Sequence, residues 1–555
     1  MFKKIFANQK LLLICILMLA FVLRFYSLGS LPALNADEVA IGYNVYSLLE
    51  TSKDEHGNSW PVHFQSFNDY KPGFFFYVVM PFVKLFGLNI WAVRIPGALA
   101  GVLTVFVLYR LVKRLFDNEN LALMSALFLA ISPWHIHFSR GGWEVNFACF
   151  LMASGVYFFL EAVSRKLNLK YLLLSVLFFV LSLYTYHSAR IIVPLLGLGL
   201  FVIYFKNIWP NIKKLVIGVI VGIILLLPLA LDLTKPAITS RVSGVGLFAD
   251  SGPIARVEEQ RGEHTSYQSK FAKLTHNKLV NYGLAFFYNW SQHYYGEFLF
   301  LSGDEIQRNR VPETGQLYLV EVVFILVGLT AIVKSISAKK NTKGWLFVIY
   351  WFLVAPSAAA LTFQSPHALR SQNMVLPITI ISAFGFFSIG RWLRVVLKNK
   401  KILSLSYAAL VLILVWSFAR YLHMYYVHLA KEYTFSSQYG LEELVDYVSK
   451  NQDKYNKVMI TDRYDQPYIL FLFYQKYSPQ KFQKDHSLTS RDGYGFSTVR
   501  KFDKYEFTSI DFDQMRPENP NSLIIGTDEE IPDEANIVKN IYGSNGHLYF
   551  QIVVN

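Results

Sequence analysis

The sequence predicts an all-α polytopic membrane protein with loops on the outer face of the membrane and a small C-terminal α/β domain outside it. Of its 555 residues, 53% are hydrophobic and only 17% are charged, which is too little charge to cover a soluble chain of this length. The apolar residues also come in long runs rather than with the periods of amphipathic strands or helices. Such runs place much of the chain in lipid.

About eleven apolar runs come close to the ~20 residues that cross a bilayer. The predicted spans are residues 11–28, 92–111, 120–135, 146–162, 170–185, 190–205, 214–232, 316–334, 345–362, 372–390 and 402–420.

The basic residues predict the orientation of these spans. With a cytoplasmic N-terminus, every loop on the inner side carries several basic residues, as the positive-inside rule requires. These loops begin at Lys113, Arg165, Lys206, Lys334 and Arg391. The apolar run 74–88 would reverse this pattern if it crossed the membrane, so we expect an interfacial or re-entrant helix on the outer side. No small-residue cleavage site follows the first apolar run, which predicts an uncleaved span.

This topology divides the chain into a transmembrane domain, residues 1–424, and an extracytoplasmic domain, residues 425–555. Two long outer loops, 29–91 and 233–315, belong to the first domain, and the second loop is expected to be irregular. In the tail, LEELVDYVSK has the period of a helix, and KVMIT, SLIIG and LYFQIVV are typical of strands.

Composition excludes several classes of function. The net charge of +14 comes from short basic clusters between apolar runs, where it orients spans rather than binding nucleic acid. Both cysteines, Cys15 and Cys149, lie in apolar runs, so no disulfide framework or cysteine metal site is expected. The chain has no G-x-x-x-x-G-K-[ST], G-x-S-x-G or H-E-x-x-H motif, which leaves ATP-driven transport and these hydrolases without support.

Polar residues collect at the predicted outer ends of the spans. Asp37 and Glu38 follow the first span, and a carboxylate there could act as a general base on an acceptor. The alternative is that Asp37 caps the next helix, with Glu38 in its first turn. Lys71 precedes the interfacial helix, where an ammonium and a helix N-terminus could bind phosphate. Its alternative is a lysine that extends to lipid head groups.

Histidines and arginines accompany these carboxylates. His135 and His137 could be metal ligands or part of an interfacial belt, so a divalent metal is possible but no metal site is assigned. Arg190 and Arg370 offer planar paired donors that suit a phosphate, although lipid head groups would suit them equally. His187 and His367 stand near them in sequence and favour a site.

The order of these motifs resembles a known family. Asp37-Glu38, Tyr70-Lys71-Pro72, a helix ending in Phe86-Gly87 and then WAVRIPGALAGVLTVFVLYRLVKRLF are similar to the dolichyl-phosphate-mannose-protein mannosyltransferase family. Its members include protein O-mannosyltransferases and lipid A aminoarabinose transferases, membrane enzymes of the GT-C fold. The resemblance is strongest over residues 20–200 and continues to about 420. FLFLSGDEIQRNRVPETGQLYLVE, SPHALRSQNMVLPI and DQPYILFLFYQKYSP resemble a bacterial branch with unassigned acceptors.

The resemblance implies roles for individual residues. Asp37 matches the family's catalytic carboxylate, with Glu38 beside it, and Lys71 matches a position near the lipid phosphate. Glu144 stands where many relatives carry Asp, as a further catalytic candidate, and the alternative is that it only orients the acceptor. Tyr70 replaces an acidic residue of some relatives, so a metal bound there in relatives need not bind here.

The expected function is therefore glycosyl transfer on the outer face of a bacterial plasma membrane, with inversion at the sugar. The donor is a polyprenyl-phosphate sugar, and the acceptor is a protein, a lipid or a glycan. Lys71, Arg190 and Arg370 are expected to bind the donor phosphate. Arg140, Tyr186, His187 and His367 are expected to contact the substrates. A transporter or flippase of lipid-linked sugars and a non-catalytic membrane scaffold are the alternatives.

Overall fold

The computed structural model describes residues 9–235, 238, 246–436, 438–492 and 496–555. The chain divides into two compact units. The first unit comprises Met1–Arg24, Leu99–Ser139 and Glu144–Leu422, and the second comprises Phe25–Ala98, Arg140–Trp143 and His423–Asn555. The second unit thus joins the first outer loop to the tail, whereas the sequence-based division assigned that loop to the transmembrane domain. The boundary at residue 424 stays a prediction.

Helices make up most of the described chain. The helices up to residue 232 are α1 Gln9–Phe25, α2 Ala36–Thr51, α3 Phe74–Phe86, α4 Ile90–Phe116, α5 Glu119–Ile131, α6 Pro133–Ser139, α7 Glu144–Ser164, α8 Leu169–Leu183, α9 Ala189–Ile208 and α10 Ile212–Asp232. Those beyond residue 232 are α11 Gly252–Gly262, α12 Lys270–Thr275, α13 Lys278–Gln292, α14 Glu321–Ser337, α15 Thr342–Val354, α16 Ser357–Ala360, α17 Val375–Val396, α18 Lys400–His423, α19 Leu429–Glu432, α20 Leu441–Asn451, α21 Pro467–Tyr474, α22 Pro479–Asp485 and α23 Phe512–Glu518.

Six helical segments of the described residues are long and apolar enough to cross a membrane, or seven if the pair α5 and α6, bent by 59°, forms one span. They are Ile90–Phe116, Glu144–Ser164, Ala189–Asp232, Thr342–Ala360, Gln372–Val396 and Lys400–Glu432. These segments make the chain a multi-pass membrane protein. The predicted count of eleven spans is not confirmed.

Helix length accounts for part of this difference. The 15 residues of α8 rise only about 22 Å, which is less than the ~30 Å of a hydrocarbon core. In the predicted span 316–334, the amides of Gln316 and Leu317 donate to the carbonyls of Phe298 and Leu299, so α14 begins only at Glu321. The helix α3 has 13 residues and is too short to span, in agreement with an interfacial helix.

Small residues let two apolar helices of the first unit approach one another. α14 packs against α17, and a Cβ atom at Gly385 would overlap the carbonyl oxygen of Phe324. Gly328 faces the carbonyl oxygen of Ile381 in the same way. Small residues at such crossings are typical of helix packing in lipid. On the outside of this unit, α18 exposes large apolar side chains, among them Leu412 at 65% and Trp416 at 70%.

The described residues of the outer loop 233–315 include three α-helices, α11 to α13, so the expectation of an irregular loop is wrong. Side chains cap two of them. Ser269 Oγ accepts a hydrogen bond from the amide of Ala272 at the start of α12, and Asn277 Oδ1 accepts one from Val280 at the start of α13. Polar residues that indicated a loop are therefore helix caps.

In the second unit, a hairpin and a larger sheet carry the strands. The hairpin pairs β1 (His63–Ser66) with β2 (Asp69–Pro72). The strands of the larger sheet are β3 Lys457–Ile460, β4 Lys501–Phe502, β5 Tyr505–Phe507, β6 Ser522–Gly526, β7 Ile537–Tyr542 and β8 Leu548–Val554. Their order in the sheet is β4-β5-β3-β6-β8-β7. The predicted C-terminal sheet domain is confirmed, with β3, β6 and β8 at the three predicted positions and α20 at the predicted helix.

Helix α2 lies against this domain, within the same unit. It packs on α21 and α22, and the hydroxyl of Tyr43 donates to the carbonyl of Tyr477 at 3.0 Å. A Cβ atom at Gly42 would come within 2.7 Å of the Phe473 ring, so a glycine is required for this close approach. The start of α2, which carries Asp37, is therefore positioned by the tail.

Candidate active site

The first turn of α2 presents two carboxylates with different environments. Asn35 is the N-cap, and its side-chain oxygen accepts hydrogen bonds from the amides of Asp37 at 3.0 Å and Glu38 at 3.2 Å. The amide of Asn35 in turn donates to Glu38 Oε2 at 3.5 Å, which completes a capping box, and Asn35 Nδ2 donates to the same oxygen at 3.0 Å. The alternative in which Asp37 caps the helix is wrong, since Asn35 has that role.

Asp37 forms an ion pair with Lys71. The ammonium nitrogen of Lys71 lies 2.7 Å from Asp37 Oδ1. The side chain of Lys71 is 9% exposed and that of Asp37 is 27% exposed. The carboxylate therefore remains open to a ligand from one side while the ammonium is largely enclosed. Two of the residues expected to act together are brought into contact here.

The β1–β2 turn positions Lys71. Phe67 and Asn68 form a two-residue turn with both φ values at 56°, a left-handed conformation that is strained for a bulky residue such as Phe. The Phe67 ring centre lies 5.3 Å from the Lys71 ammonium, within range of a cation–π contact. The amide of Ser497 donates to the Phe67 carbonyl at 2.9 Å, and the Phe67 ring packs on that of Tyr468. Strain of this kind is commonly found at functional sites.

Glu38 is engaged in a buried ion pair with Arg94. Arg94 Nε and Nη2 each lie 2.8 Å from one carboxylate oxygen of Glu38, and both side chains are at most 1% exposed. The same arginine donates to the carbonyls of Leu28 and Pro32, and Glu38 Oε1 also accepts from the amide of Gly142 at 2.6 Å. This geometry does not fit the catalytic role expected for Glu38. It holds the loop before α2 in place.

The side chain of Arg140 likewise forms its hydrogen bonds with other residues of the protein. Its Nε donates to the Tyr425 hydroxyl at 3.1 Å, and Nη2 donates to the Leu31 carbonyl at 3.2 Å. The guanidinium also lies over the rings of Tyr425 and Tyr426, at 5.2 and 5.4 Å from their centres. The side chain is fully buried. Arg140 therefore supports the segment before α2 rather than presenting itself to a substrate.

A buried acidic group near Lys71 has no counterpart in the sequence-based expectations. Burial raises the pKa of Glu55 to about 8, and the neighbouring Asp54 adds to this effect, while Asn44, Ser66 and Lys71 oppose it. The adjacent His56 has its pKa lowered to about 3, because of burial and of the nearby His486. Burial thus favours the neutral form of both groups, whereas the Asp37 carboxylate lies within ion-pair distance of Lys71.

The first unit brings four predicted residues together. Tyr186, His187, Arg190 and Arg370 line one cavity of about 320 Å³, whose other walls are mainly apolar. Arg190 Nη1 lies 3.2 Å from His187 Nδ1, and Arg370 Nη1 donates to Thr362 Oγ1 at 2.7 Å. Two guanidinium groups in an apolar cavity suit an anionic group attached to a lipid. Their role in binding stays a prediction.

His367 is not among the described residues that line this cavity. Its amide donates to His293 Nε2 at 3.2 Å, and its Nδ1 lies 3.7 Å from Asp304 Oδ2. Burial raises the pKa of Asp304, and it lowers the pKa of His293 to about 4. The Asp304 carboxylate also accepts from the amide of Ala368 at 2.6 Å. These contacts fix the loop around His367 and do not favour the substrate contact expected for it.

The H-x-H pair is occupied by other partners. Arg24 Nη2 donates to His135 Nδ1 at 2.7 Å, and His137 Nε2 donates to the Arg308 carbonyl at 2.9 Å. Across the part of the chain that the structure describes, no group of three or more His, Cys, Asp or Glu side chains could hold a metal ion. Glu144 is the first residue of α7 and is buried, at 9% exposure.

Sequence comparison supports the resemblance over part of the chain. The family described as dolichyl-phosphate-mannose-protein mannosyltransferase matches residues 70–231. YycA of Bacillus subtilis, which carries a provisional mannosyltransferase name, is 36% identical over 95 residues. An uncharacterised protein of Aquifex aeolicus is 30% identical over 159 residues. The segment matched to YycA covers 17% of this chain and 14% of YycA, and the segment matched to the Aquifex protein covers 28% of this chain and 30% of that protein.

Solved structures agree in fold. ArnT from Cupriavidus metallidurans, bound to undecaprenyl phosphate, superposes with a TM-score of 0.53 at 13% identity, and 97% of each chain is covered. The oligosaccharyltransferase AglB from Archaeoglobus fulgidus, in complex with an inhibitory peptide and dolichol-phosphate, gives 0.51 at 12% identity, over 84% of this chain and 63% of AglB. The predicted GT-C fold is confirmed.

Proposed function

We propose that this protein is an integral membrane glycosyltransferase that moves a sugar from a polyprenyl-phosphate donor to an acceptor on the outer face of the membrane. The observation that carries the proposal is the partly exposed Asp37 carboxylate, paired at 2.7 Å with the enclosed ammonium of Lys71. A carboxylate can accept the acceptor's proton, and a cation beside it can stabilise a departing phosphate. One short-range pair thus offers both groups that the reaction needs.

The proposed reaction is a single displacement. The acceptor oxygen or nitrogen attacks the anomeric carbon, while the bond from that carbon to the lipid phosphate breaks. The phosphate leaves with the bonding electron pair, and Asp37 takes the acceptor's proton. The sugar is inverted, and the products are the glycosylated acceptor and the polyprenyl phosphate.

Lys71 links the two halves of this reaction. In the resting protein its ammonium is held by Asp37 and lies against the Phe67 ring. A donor phosphate competes for the same ammonium, and its negative charge increases as the bond to the sugar breaks, because the phosphodiester of the donor becomes a phosphate monoester. Moving towards the phosphate, Lys71 releases the Asp37 oxygen for the acceptor's proton. Donor binding would then prepare the base.

We also assign the cavity lined by Arg190 and Arg370, in the first unit, to binding of the donor phosphate. Arg190 and Arg370 provide the donors, and the apolar walls suit the first part of a polyprenyl chain. The ArnT and AglB structures contain undecaprenyl phosphate and dolichol-phosphate, which supports this class of donor. Tyr186 and His187 line the same cavity and are assigned to the substrate. Glu144 stays the second candidate carboxylate, while Glu38 and Arg140 act as positioning residues.

We place the protein in a bacterial plasma membrane, with its N-terminus in the cytoplasm and its C-terminal domain outside. The excess of basic residues in the predicted inner loops supports this orientation. Membrane lipid is the surrounding solvent, and nucleic acid is not a partner.

A direct test uses the protein in proteoliposomes with radiolabelled undecaprenyl-phosphate hexoses. The proposal predicts that the label leaves the lipid, either to an acceptor or slowly to water, and that unlabelled undecaprenyl phosphate accumulates. Passage of the intact labelled lipid across the bilayer without loss of sugar would contradict it and favour a flippase. Neither release nor passage with any hexose would favour a scaffold.

A further inference from the structure

The tail sheet forms a cleft at the carboxyl end of a parallel strand. β3 pairs in parallel with both β5 and β6, and the chain leaves β3 through residues 461–466. A cleft of about 640 Å³ opens at this point, within the second unit. Crevices beyond the carboxyl ends of parallel strands are a common place for ligands, and this volume lies in the usual range for a ligand site.

The described lining of the cleft is polar and balanced in charge. It contains three carboxylates and three guanidinium groups, so its net charge is zero. They are Asp462, Arg463, Asp465, Arg491, Asp492 and Arg500. Tyr464 and Phe507 add aromatic rings. Carboxylates accept hydrogen bonds and guanidiniums donate them, so this lining matches a neutral ligand with many hydroxyl groups rather than a polyprenyl chain or a polyanion.

One buried side chain connects the cleft to the helix of Asp37. Gln438 Oε1 accepts a hydrogen bond from the amide of Ala36 at 2.7 Å, directly before Asp37. Gln438 Nε2 donates to the carbonyl of Asp465, in the cleft wall, at 2.6 Å. Gln438 is 8% exposed, so these bonds are shielded from water. The cleft wall and the start of α2 are therefore held in a fixed relation.

The hairpin that carries Lys71 contacts other lining residues of the cleft. Asn68 Nδ2 donates to Ser497 Oγ at 3.2 Å, and Arg491 Nη2 donates to the Asn68 carbonyl at 3.1 Å. Both Ser497 and Arg491 line the cleft. Gln466, another lining residue, has a left-handed backbone with φ of 51° and donates to the Ser497 carbonyl at 3.3 Å. Strain in a non-glycine residue is frequent at ligand sites.

We propose that this cleft binds the acceptor of the transfer, and that the acceptor is a neutral glycan. This assignment rests on the proposed function, because the acceptor is one of the two substrates of the proposed transfer. A saccharide held by these carboxylates and guanidinium groups is fixed relative to Asp37 through Gln438 and relative to Lys71 through Asn68. This choice narrows the acceptor from protein, lipid or glycan to one chemical class.

The test measures saccharide binding by the full-length protein in nanodiscs. The probes are fluorescently labelled neutral tetrasaccharides of glucose, mannose and N-acetylglucosamine. The cleft variant is Asp462→Asn with Arg500→Gln, which removes a partly exposed pair in the lining (28% and 49% exposed). The matched control is Glu443→Gln with Lys539→Gln, another pair of the same domain, at 2.8 Å. Arg463→Gln is a second cleft variant, whose contacts to Asp528 and Glu529 are 3.7 and 4.0 Å long.

We expect the unmodified protein to bind at least one tetrasaccharide, both cleft variants to bind it at least tenfold more weakly, and the control to match the unmodified protein. Equal binding by folded cleft variants would overturn the location of the site. Binding of none of the tetrasaccharides by the unmodified protein would overturn the chemical class. Release of label from undecaprenyl-phosphate hexose is measured in the same preparations. It tests the proposed function separately, since slow transfer to water needs no glycan.

Discussion

Lys71 Nζ lies 2.7 Å from Asp37 Oδ1, although the two residues are 34 positions apart and belong to a hairpin strand and a helix. The pair couples a partly exposed carboxylate to an enclosed ammonium. In the proposed reaction, Asp37 accepts the proton of the acceptor and Lys71 binds the donor phosphate. Changes to either residue should therefore affect different steps.

Lys71→Met removes the ammonium but keeps much of the side-chain volume. A charge-assisted hydrogen bond contributes roughly 1.5–3 kcal/mol, so we expect the affinity for undecaprenyl-phosphate hexose to fall about tenfold or more. Binding of the radiolabelled donor to nanodiscs measures this change. Lys450→Met removes a similarly paired but exposed lysine and should leave the affinity unchanged. Unchanged affinity in the Lys71 variant would remove Lys71 from the donor site.

Arg190→Gln and Arg370→Gln test the cavity of the first unit. Each substitution removes a guanidinium from an apolar cavity, so we expect each to weaken donor binding by about tenfold or more, by the same range for charged hydrogen bonds. Arg420→Gln is the control, since Arg420 is exposed and paired with Glu313 at 2.8 Å. Normal donor affinity in both cavity variants would show that these arginines serve another purpose.

Glu38→Gln tests the positioning role of the buried pair with Arg94. It leaves the guanidinium buried without its counter-charge, and breaking such a pair typically lowers the free energy of unfolding by about 3–5 kcal/mol. Denaturation of the detergent-solubilised protein, followed by the fluorescence of its tryptophans, measures the loss. Glu443→Gln breaks an exposed pair and should change stability by less than ~1 kcal/mol. Full stability with lost turnover in the Glu38 variant would instead restore the catalytic role.

Glu55→Gln tests the buried acid near Lys71. With a pKa raised from 4.5 to about 8, folded Glu55 keeps its proton over a range in which the unfolded chain has lost it. The folded state then binds more protons, so the free energy of unfolding falls between pH 4.5 and 8, by up to about 1.4 kcal/mol per pH unit. Glutamine has no proton to lose. We therefore expect the variant to melt above the unmodified protein at pH 8, with a smaller difference at pH 5.

The matched control for this pH dependence is Glu50→Gln, which alters an exposed glutamate five residues before Glu55. Its melting temperature should follow that of the unmodified protein at both pH values. A Glu55 variant whose melting temperature differs from the unmodified protein equally at pH 5 and pH 8 would contradict the raised pKa.

Local patterns in the sequence predicted the local structure well. The runs KVMIT, SLIIG and LYFQIVV are short, β-branched and aromatic, and they form β3, β6 and β8. The predicted span 316–334 failed at its start, because the amides of Gln316 and Leu317 bond to a distant turn instead of a helix. Hydropathy does not indicate such backbone hydrogen bonds between distant segments.

Contacts between distant residues could not be predicted. Arg94 lies within the predicted span 92–111, and the sequence did not indicate its ion pair with Glu38. That pair depends on how the loop before α2 folds back. From the sequence, both Asp37 and Glu38 are expected at the catalytic site, yet helix geometry turns Glu38 inward to the capping box and leaves Asp37 partly exposed. The sequence did not indicate the contacts of Gln438 with Ala36 and Asp465, because a single glutamine is not part of any recognisable motif.

The central claim is that Asp37 is the base of a glycosyl transfer, and one kinetic comparison tests it most directly. Sugar release from radiolabelled undecaprenyl-phosphate hexose is measured for the unmodified protein, for Asp37→Asn and for Asp446→Asn, whose carboxylate forms an exposed pair with Lys450. General-base catalysis contributes about 10²–10⁴-fold, so we expect Asp37→Asn to lose at least ~100-fold in turnover while it still binds donor, and Asp446→Asn to match the unmodified protein. Equal turnover in all three proteins would contradict the role of Asp37 in the reaction.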